Sequence, residues 1–295
     1  MSTLNDLLAG AGILLADGAT GTQLQKAGLK PGDSPERWNL ENPEAIRALH
    51  RSYLEAGANI VLTNTFGGTR FRLARHGLEG QVRTINETAA RLARETAGET
   101  ALVFGDIGPS GELLKPLGKL AYEEAVEGFA EQAEGLLSGG VDAILIETMS
   151  DINEAKAAIE GVRRINSGIP LLVTFSFDTH GRTMMGIKPE KAAREIWALG
   201  VTAIGANCGR TLSETLTAIE QMRAAVPEAV LMAKPNAGLP HTSGGDMVYD
   251  VTPAVMAEYA QKFAAQQVKI FGGCCGSGPE HIRAVAKALR QHADS

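Results

Sequence analysis

The chain has 295 residues, 44% hydrophobic and 21% charged, which is long enough for one large buried core and near the globular average. A formal charge of −6 without any basic block leaves no surface suited to neutralising phosphates, so nucleic acid is not an expected partner. The N-terminus MSTLNDLLAGAGILLADG lacks the positive charge of a signal peptide, and no apolar run reaches the roughly 18–20 residues of a spanning helix; the expectation is a cytoplasmic protein with no membrane partner.

In chain order the apolar runs are ILLAD (13–17), GANIVLTN (57–64), ALVFGDIG (101–108), GVDAILIE (140–147), PLLVTFSF (170–177), GVTAIGAN (200–207), AVLMAKPN (229–236) and QVKIFGGC (267–274). Runs this short and apolar read as buried parallel strands. Gly57, Gly140 and Gly200 stand where a preceding helix must end in the left-handed conformation. Seven positions after Gly57, Gly140, Gly200 and Gln267 stand Asn64, Glu147, Asn207 and Cys274, so polar and sulfur groups gather at strand C-terminal ends. Helix starts lie between the runs, at Asn42-Pro43, Asp151, Thr252-Pro253 and Ser277 ahead of Pro279. After Asp151, the residues Ile152, Ala155, Ile159 and Val162 fall on one face. Eight strands alternating with helices predict an α/β chain folded as a single-domain (β/α)8 barrel over 1–295, with reactive groups at the C-terminal rim. The Gly/Pro-rich stretches 26–39 and 238–250 read as rim loops.

The three cysteines fit this register. Cys208 follows the sixth strand and Cys274-Cys275 the eighth, so all three thiols are expected on one rim. Three thiolates with an open fourth position suit a catalytic zinc, and Gly272, Gly273 and Gly276 permit the bend that lets adjacent cysteines bind together. The other reading is a small buried Cys208 and a redox-sensitive vicinal pair. With three thiolates the zinc site is net negative, a poor activator of water and a good holder of a substrate thiol, which is deprotonated there yet stays nucleophilic.

The motifs DGATGTQL (17–24), TNTFGG (63–68), GDIGP (105–109), ETMSD (147–151), GANCG (205–209), PNAGLP (235–240) and GGCCG (272–276) together resemble the homocysteine S-methyltransferase family over essentially the whole chain. The likeness is to the homocysteine-binding module of cobalamin-dependent methionine synthase and to bacterial betaine-homocysteine methyltransferases. The resemblance implies zinc on Cys208, Cys274 and Cys275, with homocysteine as thiol substrate. It also places Asp17 and Glu147 at the substrate ammonium and the backbone of Gly18, Ala19 and Thr20 at its carboxylate. Asn207 and Asn236, inside two of the motifs, complete the expected substrate-binding set. Asp151 reads as a helix cap.

The expected reaction is methyl transfer to L-homocysteine, forming methionine. For the donor, a chain ending at Ser295 without a folate or cobalamin domain leads us to expect a small onium compound, betaine or S-methylmethionine, resting on Trp38, Tyr249 or Phe66. Methylcobalamin from a separate corrinoid protein is the alternative. Two rivals stand apart from methyl transfer: a lyase using Lys234 as a Schiff base, and a non-catalytic thiol-binding or zinc-binding barrel. The glycines of GATG and GGTR lack the lysine of a phosphate loop, and the six histidines show no ligand spacing.

Overall fold

The computed structural model describes residues 3–243 and 246–293. Eight parallel strands form one sheet: β1 (Leu14–Leu15), β2 (Ile60–Leu62), β3 (Leu102–Ile107), β4 (Ala143–Met149), β5 (Leu171–Phe175), β6 (Ala203–Cys208), β7 (Leu231–Pro235) and β10 (Val268–Phe271). They pair in the order β1-β10-β7-β6-β5-β4-β3-β2. A parallel bridge between Ala16 and Ile60 joins the two ends, so the sheet closes on itself as the predicted (β/α)8 barrel. All eight expected runs contain a strand. Several strands are shorter than their runs; β2 stops at Leu62, which leaves Asn64 in the loop beyond.

The helices begin where their caps are written. Pro43–Glu55 starts with proline in the first turn, and the Asp151 carboxylate accepts from Asn153 N–H (2.8 Å) at the head of Ile152–Ile165. Thr252 caps Pro253–Ala265 in the same way. Ile152, Ala155, Ile159 and Val162 are all buried against the strands, as their spacing predicts.

Two elements depart from expectation. The stretch read as a rim loop over 238–250 contains an antiparallel hairpin, β8 (Pro240–Ser243) paired with β9 (Asp246–Tyr249); Gly244 and Gly245 of that stretch lie outside the described residues. At the N-terminus a six-residue helix, Leu4–Ala9, is fixed by a reciprocal cap between Thr3 and Asp6. Its Leu4 and Leu8 join the apolar layer inside the barrel.

That inner layer follows the two-residue period of a strand. Leu102 and Phe104 of β3, Ala143 and Leu145 of β4, and Met232 of β7 face the barrel axis, while Val103, Ile144, Ile146 and Ala233 pack outward under the helices. Counting on by two, the next inward positions are Asp106, Glu147 and Lys234, and on β6 the same count leads from Ala203 through Gly205 to Asn207. The barrel interior therefore changes from hydrocarbon to buried charge within one step along each strand.

Gly205 is needed for that geometry, because a Cβ there would lie 1.8 Å from the Met232 carbonyl oxygen on β7. We expect Gly205→Ala to force β6 and β7 apart and to lower the unfolding free energy by about 1–3 kcal/mol or more, read from the denaturant midpoint.

Candidate metal centre and substrate cleft

The sulfurs of Cys208, Cys274 and Cys275 lie within 4.8 Å of one another, and among the described residues they form the one group of potential metal ligands so gathered. Three ligands held about 2.3 Å from a tetrahedral zinc stand roughly 3.8 Å apart, so the donor set and its spacing fit that ion. Backbone conformation sets the thiols. Cys208 ends β6 with φ 58, a left-handed conformation rare for a side-chain-bearing residue, and Gly209 continues it at φ 73. Cys274 N–H donates to Pro235 O (2.9 Å), and Ala237 N–H donates to Cys275 O (2.9 Å), which ties the vicinal pair to the end of β7.

The surrounding glycines serve close approach more than bending. A Cβ on Gly273 would meet Ser277 Cβ at 2.4 Å; only Gly276 of the three combines a positive φ (80) with contact, its Cβ position lying 2.3 Å from the Tyr249 ring. Without a metal the trio is held neutral. A hydrogen bond with Cys274 lowers the Cys208 thiol, but the bond with Cys275 and burial outweigh it and Cys208 rises to about 12. Cys275 also stands at about 12. A divalent cation reverses this preference, since thiolate is the form it binds.

The thiols form one wall of a cleft of about 560 Å³ at the C-terminal rim. Its floor is the charged layer. Lys234 Nζ lies 2.7 Å from Glu147 Oε2, with both side chains under 10% exposed. Asp17 accepts Leu62 N–H at 2.8 Å through one oxygen, and the other oxygen of Asp17 has no partner; the same holds for Oδ1 of Asp106. Burial pushes the Asp17 carboxyl up to about 7. Burial alone would lower Lys234, but Glu147, then Asp17 and Asp106, outweigh it and hold the lysine protonated beyond its usual range. A Schiff-base lysine must reach the neutral amine, and the ion pair with Glu147 favours the charged form instead.

A family model for homocysteine S-methyltransferase matches residues 14–289. The chain belongs to that family. It is 35% identical over 297 residues to the methionine synthases of Mycobacterium leprae and Mycobacterium tuberculosis; these matches cover 94% of this chain and 24% of each relative, so it spans about a quarter of their length. Among solved structures, the metallated form of the homocysteine methyltransferase MmuM from Escherichia coli superposes with a TM-score of 0.81 at 25% identity, covering 96% of this chain and 99% of that one.

Against the family pattern, the expected residues divide in two. Gly18, Ala19, Thr20, Glu147 and the three cysteines line the cleft. Ala19 N–H is already committed to Ser277 O (2.9 Å), so the amides left for a ligand in that turn are those of Gly18 and Thr20. Asp17 is 2% exposed and lies beneath the cleft, not on its wall. Asn207 and Asn236 do not line it either. Asn207 accepts from Thr148 N–H (2.8 Å) and the Thr174 hydroxyl (2.7 Å), and its amide nitrogen sits 3.9 Å from Cys274 Sγ. Asn236 donates to Gly209 O (2.7 Å) and lies 3.4 Å from Cys208 Sγ. Both asparagines back the thiols. Asp106 was missed, although an acid inside an otherwise apolar run, two residues beyond Phe104, is a legible signal. Of the three expected donor aromatics, Phe66 and Tyr249 line the cleft, with Arg72 stacked 5.3 Å from the Phe66 ring centre, whereas Trp38 packs against the core.

Two outcomes test this geometry. Asn207→Ala should weaken metal affinity about 10–100-fold in chelator competition while full loading is still reached at excess metal. Lys234→Met leaves Glu147 as a buried unpaired acid and should lower stability by about 3–5 kcal/mol in denaturant unfolding.

Proposed function

We propose that the chain transfers a methyl group to the thiol of L-homocysteine, giving methionine, and that Cys208, Cys274 and Cys275 hold a zinc ion for that purpose. The observation that carries this reading is the convergence of three thiols, spaced for one ion, on the wall of a cleft floored by buried carboxyls. Bound zinc would take the substrate sulfur as a thiolate at neutral pH. In the transfer the S–CH3 bond forms as the donor's bond to that methyl breaks, and an onium donor departs as a neutral amine or thioether with no proton to move. The chain's part is alignment and charge. The Gly18 and Thr20 amides, on residues that line the cleft, would receive the substrate carboxylate, and the acidic floor would supply counter-charge for the ammonium.

For the donor we favour an onium compound of the betaine or S-methylmethionine type. Tyr249 supports it, because its ring lines the cleft against Gly276 and beside the thiols, where a cation meets both a π face and the negative metal site. The 35% identity to methionine synthases supports a second reading, methylcobalamin delivered by a corrinoid protein.

A donor panel separates these readings. Zinc-loaded protein with homocysteine should form methionine from glycine betaine or S-methylmethionine, and activity should disappear on chelation and in Cys275→Ala, which should also lose its metal. Methionine formed only from methylcobalamin, free or on a corrinoid protein, overturns the onium assignment; a fully active Cys275→Ala protein overturns the metal site.

A further inference from the structure

The cleft has a basic stretch of lining with no assigned task, formed by Arg72, Arg75 and His76 next to Phe66. Arg72 is half-buried, whereas Arg75 and His76 are exposed. It belongs to the short helix Arg70–Leu73, which the buried Thr69 caps by accepting Arg72 N–H (3.4 Å) and which Leu73 anchors in a small apolar cluster with Leu78, Val82 and Ile85. Its neighbours are spent: Arg70 pairs with Glu131 (2.7 Å) and Arg75 with Glu112 (2.9 Å), but among the described residues no carboxylate oxygen lies within 4.0 Å of the Arg72 guanidinium. The acids around it are engaged elsewhere. Glu36 accepts from the Ser34 hydroxyl (2.6 Å) and Gly67 N–H (2.7 Å), and Glu154 accepts from the amide (2.8 Å) and hydroxyl (2.5 Å) of Ser110. Gly67 admits both charges to this corner, since a Cβ there would meet Glu36 Oε1 at 2.7 Å and Arg72 Nε at 3.4 Å. What Arg72 does touch is the Phe66 ring, 5.3 Å from its centre. That ring face is therefore taken by the protein's own cation and is no seat for an onium group, which leaves Tyr249, beside the thiols, as the π surface for the donor. An arginine held over a ring still has its N–H fork to give, and a carboxylate matches that fork.

We propose that Arg72 is the specificity-determining residue for the methyl donor: its guanidinium receives a carboxylate, so that the cleft selects donors carrying an onium group and a carboxylate together. Phe66 is then the platform that holds Arg72 in place, and the onium group rests on Tyr249 beside the sulfur wall. Two parallel hydrogen bonds from the guanidinium give this contact a geometry that a lysine ammonium does not reproduce. The inference rests on the onium reading given above and adds to it the residue that reads the donor's acid group.

The test is initial-rate kinetics of methionine formation by zinc-loaded protein with homocysteine and matched donors: glycine betaine against choline, and S-methylmethionine against its decarboxylated analogue. Wild type should prefer the carboxylate-bearing member of whichever pair it uses. Arg72→Met should lower kcat/KM for that member by about 10–100-fold, the scale of a hydrogen bond to a charged group, through a raised KM. The rate with the carboxylate-free donor, the affinity for homocysteine and the metal content should stay at wild-type values. Arg72→Lys, which keeps the charge and loses the fork, should recover part of the preference. An Arg72→Met protein that keeps the wild-type preference, or that slows both members of the pair equally, overturns the assignment and leaves the onium reading standing. A wild-type protein that forms methionine from methylcobalamin alone refutes the onium reading, and the Arg72 assignment falls with it.

Discussion

In a closed parallel barrel each strand residue faces either the axis or the surrounding helices, and neighbouring strands fix which. This alternation governs both halves of the molecule. Below, it fills the axis with Leu102, Phe104, Leu145, Leu172 and Met232, a dry layer on which Leu4 and Leu8 of the N-terminal helix close. Above, the same count delivers Asp106, Glu147, Asn207 and Lys234 into one plane. A one-residue slip in any strand would send its polar group under a helix and an aliphatic group into the cleft.

The polar plane is tolerable because its groups satisfy one another. A lone buried carboxylate is strongly disfavoured, whereas the Lys234–Glu147 pair and the Asp17 bond to Leu62 N–H compensate part of the desolvation. Asn207 joins this plane to the sulfur wall. It reaches Thr148 on β4, Thr174 on β5 and Cys274 after β10, so one side chain couples the position of the acidic floor to that of a thiol. A residual imbalance remains, two acids with a free oxygen each.

The barrel was legible because its signals are local: apolar runs, a glycine ahead of several strands, and caps such as Asp151 and Thr252 lie within a few residues of the elements they specify. The thiol site was legible through register, since Cys208 ends one strand and Cys274 follows another. What the sequence hid depends on partners distant in the chain. Asn207 and Asn236 stand at strand ends like substrate ligands, and only the contacts across β4, β5 and β6 reveal that they turn to the sulfurs. Asp17 sits in a family motif, but its bond to Leu62 draws it below the floor. The β8–β9 hairpin was concealed by glycine and proline, which mark turns well and strands poorly.

The ligand set also has an architectural meaning. Cys208 ends β6, and Cys274 and Cys275 follow β10, while β7 lies between those strands in the sheet. An ion held by all three would span β7 like a staple, fastening two strands that share no hydrogen bonds of their own. Binding free energy would then become folding free energy for that side of the barrel, and the rigidity of the C-terminal rim would depend on metal supply.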